Sequence, residues 1–201
     1  KLSQLEENTF VSTIELPPHE SCVRGVCSSQ HPNSDSSLLV TCGGKLSMEC
    51  YILDDHQVVS SLCSYRTLDK TTTIDHRMNV VRATYLGKKK EEKCHLVVAG
   101  DSDGNLHLCV ISEKKALERR TTIGTIVQGS DGRPVLCLEL LRCLGTILVF
   151  VGTTGGHISV WAFPDSIISE KSDLPTSPIY KYTAHQTGVN DLSAIAHSNN
   201  P

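Results

Sequence analysis

Three stretches of the chain share one pattern, a turn followed by alternating apolar positions: CGGKLSMECYIL (42–53), GDSDGNLHLCVI (100–111) and GTTGGHISVWAF (152–163). Met48, Cys50 and Ile52 fall on one face of the first. Leu106, Leu108 and Val110 do so in the second, and Ile158, Val160 and Ala162 in the third. That period of two predicts a β-strand each time. On the opposite face Tyr51, Cys109 and Trp161 fall in register. Upstream of each lies a second apolar run (SSLLVTCGG, CHLVVAGDSDG, GTILVFVGTTGG), so the glycine- and aspartate-rich turns between the runs predict tight hairpins. A third run precedes these, with Val23, Val81, Val135 and Val189 recurring at a near-constant interval. A more polar fourth run closes each unit: QVVSSLCSYR, ERRTTIGTIV and SPIYKYTAHQ. The pattern therefore predicts an all-β chain built of four-stranded antiparallel meanders. No long amphipathic helix is predicted; SEKKALERR could form a turn or two.

Such a repeat, with an aromatic presented on its third strand, resembles a WD-repeat blade of a β-propeller, although the interval exceeds the usual ~40 to 45 residues. Polar loops such as SSQHPNSDSS, GKKKEEK and PDSIISEKSDLPTSP account for the excess. TAHQTGVNDLSAIAH strengthens the likeness: His185 stands four residues ahead of Val189, as His19 does ahead of Val23 and His76 ahead of Val80. The predicted blades span about residues 19–66, 76–128 and 132–184, with a fourth starting at 185–201. Three blades and the start of a fourth do not make a ring, so residues 1–201 are expected to be part of a larger propeller. The resemblance implies that a histidine, a hydroxyl, a hairpin aspartate and the tryptophan form a buried hydrogen-bonded chain. The residues that match are His185, Asp101, Asp103, Thr153 and Trp161, with Cys109 in place of one tryptophan and Ala162 in place of the aspartate after the other. Their expected role is structural, locking blades and filling core.

The composition narrows the function classes. Of 201 residues, 39% are hydrophobic and 20% charged, enough for a packed core, and the formal charge of −3 argues against nucleic-acid binding by bulk electrostatics. No apolar run reaches the ~20 residues of a membrane span. The opening KLSQLEENTF lacks the order of a signal peptide, so a cytoplasmic location is expected. The nine cysteines form no C-x-x-C pair and several sit inside apolar runs, which predicts reduced core thiols and no zinc site. No motif supplies a nucleophile with a matched base, and no glycine-rich turn leads from strand to helix as a methyl-donor site requires. The chain is expected not to be an enzyme.

A narrower resemblance rests on CVRGV with VTCGGKLSMECYIL, DHRMNVVRATYL with LVVAGDSDGNLHLCVI, and ISVWAF with YTAHQTGVNDL. This order of features is similar to that of the WD-repeat subunits that partner a tRNA ribose methyltransferase. It implies a non-catalytic scaffold that binds and activates a tRNA 2′-O-methyltransferase acting on the wobble nucleotide. S-adenosylmethionine would belong to the partner, leaving no cofactor or metal here. Contact with tRNA would then depend on local basic groups: Lys88, Lys89, Lys90 and Lys93 in one loop, and Arg119 and Arg120 with Lys114 and Lys115 in another. Acidic neighbours (Glu91, Glu92, Glu113, Glu118) make an ordinary solvated surface the competing reading of both. The rival function is a general protein-interaction adaptor with no RNA role.

Overall fold

The computed structural model describes residues 16, 22–30, 32, 36–54, 57–66, 76–89, 92–112, 120–127, 132–168 and 174–195. Among them lie twelve β-strands, one short 3₁₀ turn (Asp165–Ile168) and no α-helix. The strands form three antiparallel sheets, each a meander in chain order. Sheet 1 holds β1 (Val23–Gln30), β2 (Ser37–Gly43), β3 (Ser47–Asp54) and β4 (Gln57–Arg66). Sheet 2 holds β5 (Met78–Lys89), β6 (Glu92–Asp101), β7 (Asn105–Ser112) and β8 (Arg120–Val127). Sheet 3 holds β9 (Val135–Cys143), β10 (Thr146–Thr153), β11 (His157–Pro164) and β12 (Tyr180–Thr183).

The first strands of successive sheets stand beside one another, and the sheets stack face to face in a propeller-like array. Leu38, Val40, Met48 and Cys50 of sheet 1 meet Val81, Val97, Cys109 and Ile111 of sheet 2 in one apolar layer. Val98, Leu106, Leu108 and Val110, from the other face of sheet 2, meet Val149, Val151, Trp161 and Phe163 in the next. Sheet 2 is thus covered on both faces. This is why β6 reads LVVAG rather than a strict apolar–polar alternation.

A bulge recurs near the start of every first strand. Val23 pairs with Gly43, Met78 with Asp101 and Val135 with Thr153, and in each case the register slips immediately afterwards. An extra residue there turns two successive side chains to the same face. Asn79 and Val80 accordingly both reach toward sheet 3. The ladder also sets the repeat frame: by its place just before the slip, the residue equivalent to Val23 and Val135 is Met78, not Val81.

The hairpin turns differ in how they tolerate positive φ. Leu144 and Gly145, between β9 and β10, have φ of 48° and 76°, the pattern of a two-residue type I′ turn. Leu144 is fully exposed, so its side chain gains nothing from a conformation that costs a leucine about 1 to 2 kcal/mol. Leu144→Asn is expected to stabilise the protein by about 1 kcal/mol, because asparagine accepts this region more readily. Urea denaturation would show it as a higher midpoint with an unchanged slope. Lys45 and Leu46, between β2 and β3, also have positive φ (56° and 48°). Here Leu46 is buried in the layer between sheets 1 and 2, and its N–H donates to the His76 carbonyl at 3.2 Å. Burial and that bond offset the strain.

Candidate functional site

A connected polar region lies where the β2–β3, β6–β7 and β10–β11 hairpins meet the segments that lead into the following strands. Three successive lead-in carbonyls, those of Met78, Val135 and Val189, each receive a side-chain donor. The Cys42 thiol donates to Met78 O at 3.7 Å, Asn79 Nδ2 to Val135 O at 3.1 Å, and the Cys137 thiol to Val189 O at 3.1 Å. Each donor comes from the unit before. Val189 also donates its N–H to Thr153 O at 3.0 Å and packs with Cys137 and Ile158 on the far face of sheet 3.

Within sheet 2 the hairpin is organised by Asp101. Its Oδ1 accepts from the N–H groups of Asp103 and Asn105, both at 2.8 Å. Its Oδ2 accepts from Asn105 Nδ2 at 2.9 Å and is 2.8 Å from His107 Nε2. Burial pushes the Asp101 carboxyl up, but the hydrogen bonds from His107 and Asn105 outweigh it and hold the group below the ordinary aspartate value of 3.8. The neighbouring Asp103 carboxylate pairs with His76 Nδ1, in the segment leading into β5. One carboxylate thus shapes the turn and the next fastens it to the lead-in.

The structure does not bring the five candidate residues into one chain. Asp101 and Asp103 are joined to His107 and His76. Trp161 is buried, and its Nε1 donates to Ser159 Oγ on its own strand at 3.2 Å. Thr153 is buried with its hydroxyl unpartnered among the described residues. His185 is exposed, with its backbone N–H donating to Gly156 O at 3.2 Å. Because the Thr153 hydroxyl is dehydrated without a compensating bond, Thr153→Val is expected to stabilise the protein by about 1 kcal/mol. In a thermal melt that is an upward shift of roughly 2 to 4 °C. A fall in Tm would mean that the hydroxyl has a partner.

Sequence reasoning passed over His107, since a polar residue inside a strand reads as outward-facing. Its signal is its position two residues past Asn105, at the end of the hairpin that Asp101 organises. The Asp101–His107 pair is closed to reactants, at 1% and 4% exposed. Its chemistry is to hold a turn. Among the described residues no group of three or more His, Cys, Asp or Glu side chains could hold a metal ion.

The candidate basic residues stand at the opposite end of sheet 2. Lys88 pairs with Lys93, Lys89 with Glu92, and Arg120 with Ile111, so the topology gathers both groups at one edge. Lys93 Nζ donates to Ser36 Oγ at 2.8 Å, across to sheet 1. Lys88, Lys89 and Arg120 are described in their backbone alone, and Lys90, Lys114, Lys115 and Arg119 lie outside the described residues. Arg142, which sequence reasoning did not single out, reaches this end from sheet 3. Its Nε donates to Asp165 Oδ2 at 2.8 Å and its Nη1 to the Tyr85 carbonyl of sheet 2 at 3.1 Å. No helix among the described residues is long and apolar enough to cross a membrane.

No protein-family model matches the chain, and no curated protein matches it. In fold it is similar to a chain in the structure of a humanized mutant of the Chaetomium thermophilum Polycomb Repressive Complex 2 bound to the inhibitor GSK126. The TM-score is 0.55 at 13% identity, over 87% of this chain and 34% of that one. The present chain therefore spans about a third of that protein's length. At this identity the likeness concerns fold alone.

Proposed function

We propose that the chain is part of a WD-repeat β-propeller and serves as a non-catalytic scaffold that binds and activates a tRNA 2′-O-ribose methyltransferase for wobble-position methylation. The observation that carries this reading is the order of sequence features: CVRGV before VTCGGKLSMECYIL, HRMNVV before LVVAGDSDGNLHLCVI, and ISVWAF before YTAHQTGVNDL. All three pairs fall on the described meanders and their connecting segments, the stacked sheets of a propeller-like array. Rigid stacked sheets suit a scaffold, since holding enzyme and tRNA in register removes orientational entropy from their encounter. In this reading the methyl donor binds to the partner enzyme, the protein works in the cytoplasm, and the lysine and arginine groups at one end of sheet 2 face tRNA phosphates.

A protein-interaction adaptor without an RNA role is the second reading, favoured by one observation. Tyr180 and Tyr182 on β12 are 59% and 43% exposed, with ring centroids 5.4 Å apart, beside exposed Ile179. Aromatic pairs of this kind are common anchors at protein interfaces. The deciding experiment uses cells lacking the full-length protein. Wobble 2′-O-methylation of purified tRNA is scored by mass spectrometry before and after re-expression. Loss with rescue is expected; unchanged methylation would leave the adaptor.

A further inference from the structure

Nowhere else in the 201 residues is a serine or threonine followed by proline as Ser177 is by Pro178, and a second proline, Pro175, stands two residues before the serine. The pair lies in segment 174–179, which leads into β12. The segment is anchored at its two ends. Leu174 packs on the layer between sheets 2 and 3, and the Ile179 N–H donates to Val160 O at 2.8 Å. Between these anchors no hydrogen bond holds Pro175, Thr176, Ser177 or Pro178 among the described residues. Thr176 and Ser177 are exposed, and so are Ile179 and Tyr180 just beyond them.

We propose that Ser177 is a modification site, phosphorylated by a proline-directed serine/threonine kinase. A kinase draws its acceptor hydroxyl away from the substrate and holds the residues around it extended in a cleft. Residues 175–178 can be drawn out without breaking a hydrogen bond, and the exposed Ile179 and Tyr180 let the cleft follow the chain past the proline. The prolines favour the extended form, since each fixes its own φ near −65° and biases the residue before it toward extended backbone. Pro178 also brings no N–H, which suits a subsite that offers apolar contact and no acceptor. Other exposed hydroxyls lack these features. Ser28 and Thr183 are paired within the ladders of sheets 1 and 3, and Thr183 Oγ1 lies 3.1 Å from His157 Nδ1. Thr176 is exposed like Ser177 but is followed by a serine.

The phosphoryl donor is ATP. The Ser177 Oγ attacks the γ-phosphorus, the bond from that phosphorus to the bridging oxygen breaks, and ADP leaves with the electron pair. The hydroxyl proton passes to the carboxylate base of the kinase and on to solvent. One serine and one ATP give one phosphoserine, one ADP and one proton. The product carries about −1.5 to −2 of charge at pH 7, on an exposed segment where water can solvate it. The assignment is independent of the scaffold reading, since it concerns the segment before β12 and no tRNA or methyltransferase.

The test incubates the folded full chain with a proline-directed kinase and Mg-ATP, and maps proteolytic peptides by tandem mass spectrometry. A Ser-Pro peptide in the same tube reports that the kinase is active. The expected result is one phosphoryl group per chain, on Ser177, with an unchanged Tm. Ser177→Ala should abolish the transfer, and so should Pro178→Ala, which keeps the acceptor and removes the signal beside it. Should either variant fail to fold, the wild-type map decides alone. No transfer to the folded chain, transfer to Thr176 or another residue in place of Ser177, transfer only after heat denaturation, or an undiminished rate in Pro178→Ala would overturn the assignment.

Discussion

Gly156→Ala is expected to be among the most damaging single substitutions in the chain, with a loss of roughly 3 kcal/mol. Gly156 ends the β10–β11 hairpin at φ 76°, where a side chain costs about 1 to 2 kcal/mol. A Cβ there would also press on the backbone of the following unit, overlapping the carbonyl oxygen of His185 and standing 2.6 Å from that of Thr187. Backbone cannot swing aside as a flexible side chain can, so overpacking adds about 1 to 3 kcal/mol. The damage would also reach the bonds that Ala184 and His185 donate to Gly156 O, which tie hairpin to lead-in. Gly145→Ala is the control. It shares φ 76° but has nothing within 4 Å of the added carbon, so about 1 kcal/mol should suffice. Equal midpoints for the two variants in urea denaturation would show that the contact with the next unit carries no weight.

Asp101→Ala should cost a comparable amount, about 4 kcal/mol, by a different route. The carboxylate engages four groups from Asp103, Asn105 and His107, and its removal leaves buried His107 and three part-buried donors without that acceptor. The same group predicts an acid dependence with a definite sign. The folded carboxyl titrates below its ordinary value of 3.8. Its stabilisation is therefore complete above the unfolded pKa and is lost as the pH falls through the folded one. Thermal melts between pH 7 and pH 3 should show the wild type losing stability at the acid end more steeply than Asp101→Ala. Parallel curves would mean that Asp101 is not held in its charged form by the fold.

The strands were legible because alternation is a direct projection of sheet geometry onto sequence. Met48, Cys50 and Ile52 do share the face of β3 that packs on sheet 2, and Leu106, Leu108 and Val110 share the face of β7 that packs on sheet 3. Cys109 and Trp161 occupy equivalent positions facing the preceding sheet. What escaped had no projection of that kind. The second unit carries Met78 where the first and third carry Val23 and Val135, so counting valines led to Val81 instead. Lys45 and Leu46 take positive φ without glycine, because burial of Leu46 holds a turn that local chemistry disfavours. The pairing of Asp101 with His107 depends on two strands meeting across a hairpin, and its trace in the sequence is only the short spacing from Asp101 through Asn105 to His107.

The donors onto Met78, Val135 and Val189 bear on how damage spreads through the molecule. A thiol, an amide and a second thiol perform the same task at successive seams, so the carbonyl is the constant partner and the donor is interchangeable in kind. Each seam joins only adjacent units, which makes the array approach a chain of nearest-neighbour couplings. Loss of the Asn79 amide together with the Cys137 thiol should then cost the sum of the two single losses, whereas substitutions sharing one seam should couple. Sequence change can in that case accumulate seam by seam, with compensation required only from the unit next door.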